Sequence, residues 1–200
     1  PVAAAAEAAA EAIGRVGLVA PAWREALRAC GTLERLTAWI RCAETPRRLQ
    51  KYLFWAAGAI AGLPFVAAEM RLHMGAVGAV GVVDAGLCTI IDILDDDIDG
   101  EYSLMGVERG FEAEQHLLLG LALDAMRAHA GAPEVQSRAG RCLGLLAPLC
   151  GREALLSLAP AAVDAALAAA RRFPRRHDVV AGACAALRTL CSLPRHEGPA

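Results

Sequence analysis

The chain has 200 residues, is 56% hydrophobic but only 4% aromatic, and carries a net charge of -2. That length can bury a real core, and a core so poor in aromatics must be built from Ala, Leu, Val and Ile, which favours helix over sheet. The charge balance lacks the basic footprint of a nucleic-acid binder, so no nucleic-acid partner is expected.

The Ala-rich start, residues 1–10, has no basic n-region and does not read as a signal peptide. The chain begins at Pro1, and an address removed earlier would leave no trace. Apolar periodicity predicts helices over 3–17 and 22–29, broken at Pro21. Gly31 then opens a helix over 33–41 that ends in Arg41, followed by the polar turn ETPRR and a helix starting near Leu49. Tyr52 to Ala68 forms seventeen residues without a charge. A spanning helix needs about 20 apolar residues, and this run is short and interrupted by Pro64. The next apolar run carries Asp84 and Asp92, so membrane association through 52–94 is an alternative and a buried helical core is the expectation.

The segment DILDDDIDGEYSL breaks the pattern with acid. Asp95, Asp97 and Asp99 stand at positions one, three and five of an EF-hand-like loop, with Gly100 at six, Glu101 at seven and Ser103 at nine. Hard oxygen donors at alternate positions suit Ca²⁺, but position twelve, which requires a bidentate Glu, is Gly106. Asp95, Asp97, Asp99 and Glu101 are therefore a candidate calcium set, weighed against a solvated acidic loop and against an acidic patch for a basic partner. Further on, helices are predicted over 119–127 and 163–171, each followed by a polar turn and a helix from Val135 or Val179. SLPRHEGPA, at the end, reads as a coil tail over 193–200.

An apolar face recurs along the chain. Val135, Ala139, Cys142, Leu143 and Leu146 match Val179, Ala183, Ala186, Leu187 and Leu190, 44 residues later. Leu49, Leu53, Ala56, Ala57 and Ile60 carry the same spacing 86 residues earlier, close to two units of roughly 43. Arg41, Arg127 and Arg171 keep those offsets at the ends of the preceding helices, where a cation complements the macrodipole. The strings ACGTLERLTAWIRCAETPRRLQKYLFWAAGAIAG and ALDAMRAHAGAPEVQSRAGRCLGLLA, and the stretch from Gly151 to Cys191, resemble the helix rhythm of armadillo repeats, with the related HEAT type close by. The resemblance covers about residues 27–63 and 119–192. It implies an all-α, right-handed solenoid of about four repeats forming a single domain over 1–192. Residues 1–30 would be a capping or partial repeat, and 69–112 an irregular repeat in the middle.

No H-E-x-x-H, G-x-S-x-G or glycine-rich phosphate loop is present, so no enzyme, catalytic residue or cofactor is expected. The seven cysteines are odd in number, lack a C-x-x-C pair and are expected mostly on apolar helical faces, which fits a reducing, intracellular compartment. Partner-binding candidates are the arginines Arg41, Arg127, Arg171, Arg172, Arg175 and Arg176, together with Trp39. The resemblance places Trp39 on the groove-lining helix, although a Trp there is more commonly a core filler, which is the expectation for Trp39 and Trp55. The expected function is a non-catalytic scaffold that binds other proteins, as an adaptor or a structural subunit of a larger assembly. A calcium-responsive regulator is the alternative.

Overall fold

A computed structural model describes residues 2–19, 21–42, 45–74, 76, 79–98 and 111–192. Among the described residues there are ten α-helices, one short 3-10 turn (Ala147–Leu149) and no strand. Contacts divide the chain into two compact units, 1–114 and 115–200, each with its own core.

The first unit contains α1 (Val2–Val19), α2 (Pro21–Ala29), α3 (Thr32–Arg41), α4 (Arg47–Ala61), α5 (Leu63–His73) and α6 (Val80–Ile98). Its centre is α4, on which α1, α3 and α6 pack. Nearly every side of α4 is buried, including Leu49, Leu53, Phe54 and Ile60 and the small run Ala56 to Ala59. A helix that is apolar all round must be enclosed. Two glycines with positive φ punctuate the unit, Gly31 (φ 72) before α3 and Gly62 (φ 87) between α4 and α5, a region other residues enter only with strain. The uncharged run 52–68 thus breaks at Gly62, and Pro64 sits in the first turn of α5, where its missing N–H costs nothing. Asp84, inside the next apolar run, is buried and reaches Lys51 of α4 at 3.7 Å. Among the described residues no helix is long and apolar enough to cross a membrane.

The acidic stretch does not begin as a loop. The backbone of α6 stays helical through Ile98, carried by the buried face Ile90, Ile91 and Leu94.

In the second unit, α7 (Phe111–Ala128) crosses the boundary and α8 (Pro133–Leu146), α9 (Arg152–Arg172) and α10 (His177–Ser192) follow. Its tightest packing is between α8 and α10. Gly140 of α8 lies against the Gly182 backbone, and Gly144 against Ala185. Small residues here let the two backbones meet, and Thr189 Oγ1 shares its proton between Gly144 O across the contact at 3.2 Å and Ala185 O of its own helix at 3.1 Å. The second unit's long helix α9 carries Pro160 in its interior, which removes one N–H from its ladder.

The recurring register is visible in the fold. The helices α4, α8 and α10 start at Arg47, Pro133 and His177, which keeps the offsets of 86 and 44. Of the fifteen face positions read from the sequence, all are buried except the half-buried Leu187. The turns before them repeat too. The residue ahead of each helix accepts its first backbone bond: Gln50 N donates to Pro46 O at 2.9 Å, Gln136 N to Ala132 O at 3.1 Å, and Val180 N to Arg176 O at 3.0 Å.

Candidate partner-binding grooves

The last turns of α3, α7 and α9 each carry arginine, as the periodicity predicts. A helix end leaves carbonyl groups without partners. After α7 they are met by a buried side chain: Gln136 Nε2 donates to Met126 O at 2.8 Å and to His129 O at 3.1 Å. The turn and the arginine before it are thereby fixed relative to α8. Gln50 occupies the same position in the first unit and is also buried. The leucine–glutamine and valine–glutamine pairs that open α4 and α8 were legible as rhythm, but the clamp on the preceding helix was not.

In the second unit a groove of about 480 Å³ opens beside this clamp. Its floor is apolar, from Met126 of α7 and Ala165 and Ala169 of α9. Its rim carries Arg127 from one helix and Arg171 and Arg172 from the other. Three sequence candidates thus meet at one place, two of them at equivalent positions of the 44-residue offset. Arg127 is exposed and only 3.4 Å from the equally exposed Asp124. Arg172 lies over the Phe173 ring, 5.9 Å from its centroid, and among the described residues Arg171 has no acidic partner. The volume lies within the usual range of ligand pockets, about 300–1,000 Å³.

Arg175 and Arg176 do not join this groove. Arg176 is neutralised by Asp178, with Nη2 2.9 Å from Oδ2, and by Glu134 at 3.9 Å. The hydrogen bond from Arg176 is the main cause that holds the Asp178 carboxyl below its ordinary range, and the same bond raises the guanidinium. Arg175 is exposed.

The first unit has a corresponding groove of about 330 Å³. The α1 side contributes Ala6, Ala10 and Ile13, and the α3 side Arg35, Leu36 and Trp39. Trp39 is 51% exposed, so the core-filling expectation for it is corrected. The reason is side-chain size at the edge of the buried face. The buried face of α3 is Leu36 and Ile40, and Trp39 stands one residue off it. The equivalent positions hold the buried alanines Ala125 and Ala169, and an indole in place of a methyl stands out into the groove. Trp55 differs: it is half-buried, with its ring over Gly14 of α1.

Arg41, at the end of α3, is tied to a structural role. Its Nη2 donates to Glu69 Oε1 at 2.6 Å and its Nε to Oε2 at 3.0 Å, with Glu69 only 5% exposed. This hydrogen-bonded pair, more than the charge alone, raises the guanidinium further. A buried carboxylate requires such a partner, so Arg41 couples α3 to α5. The sequence pointed to Arg41 but held no sign of Glu69, 28 residues away.

The calcium candidates are not placed. Asp95 and Asp97 belong to the helical backbone of α6 with side chains outside the description, and Asp99 and Glu101 lie outside the described residues. Among the described residues no group of three or more His, Cys, Asp or Glu side chains could hold a metal ion. The cysteines depart from expectation: Cys30, Cys42, Cys184 and Cys191 are exposed, and Cys142 alone is fully buried. Cys30 and Cys42 sit in turns and Cys184 lies on the outer side of α10, opposite Ala183 and Ala186. Burial pushes the Cys150 thiol up.

Among the described residues the chain is all-helical, with a repeated helix register and an open groove in each unit. No family model matches it, and neither a curated protein nor a solved structure does.

Proposed function

We propose that the protein is a non-catalytic scaffold that binds other proteins through these grooves, as an adaptor or structural subunit of a larger assembly. The finer fold reading goes with it: about four armadillo-like repeats stacked as a right-handed solenoid, which leaves extended surfaces for partners. The observation that carries the proposal is an open, apolar groove in each unit, with Trp39 and Arg35 in one at the positions that Ala169 and Ala165 hold in the other. In each unit the surface beside the apolar repeat helix is open, and each groove presents an interface-type anchor: a half-exposed Trp39 in one, three arginines in the other. Tryptophan and arginine are the residues most enriched at binding hot spots.

Isolation of the tagged chain from its native source, with mass spectrometry of the co-purifying proteins, tests this. The expected result is a stable, stoichiometric set whose recovery falls when Trp39→Ser or the pair Arg171→Gln and Arg172→Gln is introduced. Recovery of the chain alone and monomeric overturns the reading. So does a set that is indifferent to all of these substitutions.

A further inference from the structure

The groove of the second unit sets a requirement on what enters it. The charge there is not balanced. Arg176 is paired twice, whereas Arg171 has no acidic partner among the described residues, Arg172 is held by a ring and Arg127 has only the exposed Asp124. Complementing the helix macrodipole explains a cation in a last turn. It does not explain why guanidiniums from two different helices border the same opening. A guanidinium presents a planar fork of donors that matches a carboxylate with two parallel hydrogen bonds. Between the forks the floor is alanine and methionine, buried at Met126 and Ala169, which suits small or branched apolar side chains and offers nothing to a bare inorganic anion.

We propose that this groove binds an acidic peptide segment of another protein. Its carboxylates are paired by Arg127, Arg171 and Arg172, and its intervening apolar side chains lie on the Met126, Ala165 and Ala169 floor. Successive side chains of an extended chain point to opposite sides, so in an alternating segment the apolar side chains face the floor and the acidic ones face outward, where the long, exposed rim arginines reach over to them. The inference rests on the protein-binding reading and narrows it to one class of partner at the groove of the second unit.

The test is fluorescence anisotropy with the full chain and three short labelled peptides, alternating leucine with glutamate, glutamine or lysine. The glutamate peptide is expected to bind, the glutamine peptide at least about tenfold more weakly, and the lysine peptide not at all. Arg171→Gln and Arg172→Gln should each weaken the glutamate peptide by about tenfold. Arg188→Gln, the same charge change on the exposed side of α10, should leave it unaltered. All four arginines involved are exposed, so the variants are expected to keep the parent's helix content and melting curve, which circular dichroism checks.

Equal weakening by Arg188→Gln overturns the site in favour of a diffuse field. Displacement of the peptide by inorganic phosphate at matched ionic strength overturns the peptide in favour of a simple anion. Equal binding of the glutamine peptide overturns the acidic requirement but leaves the protein-binding reading standing. That reading fails on its own terms only if the chain is recovered alone from its source.

Discussion

The approach of α8 and α10 is close enough that one methyl group tests it. A Cβ on Gly182 would lie 2.5 Å from the Ser137 carbonyl oxygen and 3.3 Å from its carbon. Ordinary C···O separations at helix crossings are about 3.3–3.6 Å, so Gly182→Ala must move main chain by about 0.8–1.1 Å. Two terms oppose each other. Ala for Gly inside a helix returns about 0.5–1 kcal/mol, largely by restricting the unfolded chain. Overpacking costs about 1–3 kcal/mol, and the obstacle here is backbone, which yields least. The crossing also carries the Thr189 hydroxyl, shared between Gly144 O at 3.2 Å and Ala185 O of its own helix at 3.1 Å, so losing the contact across the crossing costs less than the ~1 kcal/mol of a full bond. The net expectation is a loss of about 2 kcal/mol, or about 8–16 °C in the Tm of a unit this size.

Urea unfolding followed by two probes isolates the effect. Trp23, Trp39 and Trp55 all lie in the first unit, so their fluorescence reports that unit while helix circular dichroism reports both. The dichroism transition of the second unit should move to lower urea with its slope unchanged, and the fluorescence transition should stay. Gly120→Ala on α7, where an added Cβ meets nothing within 4 Å, should instead stabilise by about 0.5–1 kcal/mol. If Gly182→Ala stabilises as Gly120→Ala does, the backbones do not meet there and the packing argument is wrong.

Gln136→Leu strips the donors from Met126 O and His129 O at a buried site and should cost about 1–3 kcal/mol in the second unit, read by the same dichroism transition. Arg41→Met strands the buried Glu69 carboxylate and should lower the fluorescence-detected stability of the first unit. Adding Glu69→Met should recover much of that loss, because an apolar pair replaces a buried ion pair without leaving a lone charge. The Asp178 carboxyl is lowered by Arg176, so its contribution is present above the ordinary carboxylate pKa and disappears as pH falls through the lowered value. Asp178→Asn should therefore be slightly less stable than the parent at neutral pH and equal to it in strong acid; the pair is exposed and the difference small. A thiol reagent on the native chain should label Cys30, Cys42, Cys184 and Cys191 quickly, Cys150 slowly because burial raises its thiol, and Cys142 only after unfolding.

Much of the helical layout was legible because periodicity is a local property. The faces of α4, α8 and α10 could be read from i, i+4, i+7 spacing, and burial followed at nearly every position. Gly31 was readable as a breaker for a local reason too, since its φ of 72 suits glycine. Individual exposure was harder. Trp39 stands one residue from the buried Ile40, at a position where Ala125 and Ala169 are buried, so side-chain size at the edge of the face decides between core and surface. The acidic stretch was read as a break from composition, yet the apolar face of Ile90, Ile91 and Leu94 keeps α6 helical into it.

The arginines mark where local reading stops. Arg41, Arg127 and Arg171 share a repeat position, and the sequence treats them as one ladder with one role. Their surroundings separate them. Arg41 meets Glu69, a residue on α5 buried by neighbours that no nearby pattern announces, and becomes a structural tie. Arg127 and Arg171 find no such buried acid, and Ala165 and Ala169 keep α9 thin enough to leave space between them. The same residue at the same register is therefore consumed by the fold in one unit and left facing solvent in the other. An exchange that gives Arg41 the surroundings of Arg127, such as Glu69→Ala, should free its guanidinium and raise binding of an acidic peptide to the first unit. If that variant gains no such binding, an unpaired arginine is not enough, and the apolar floor of the second groove carries more of the recognition than its charge.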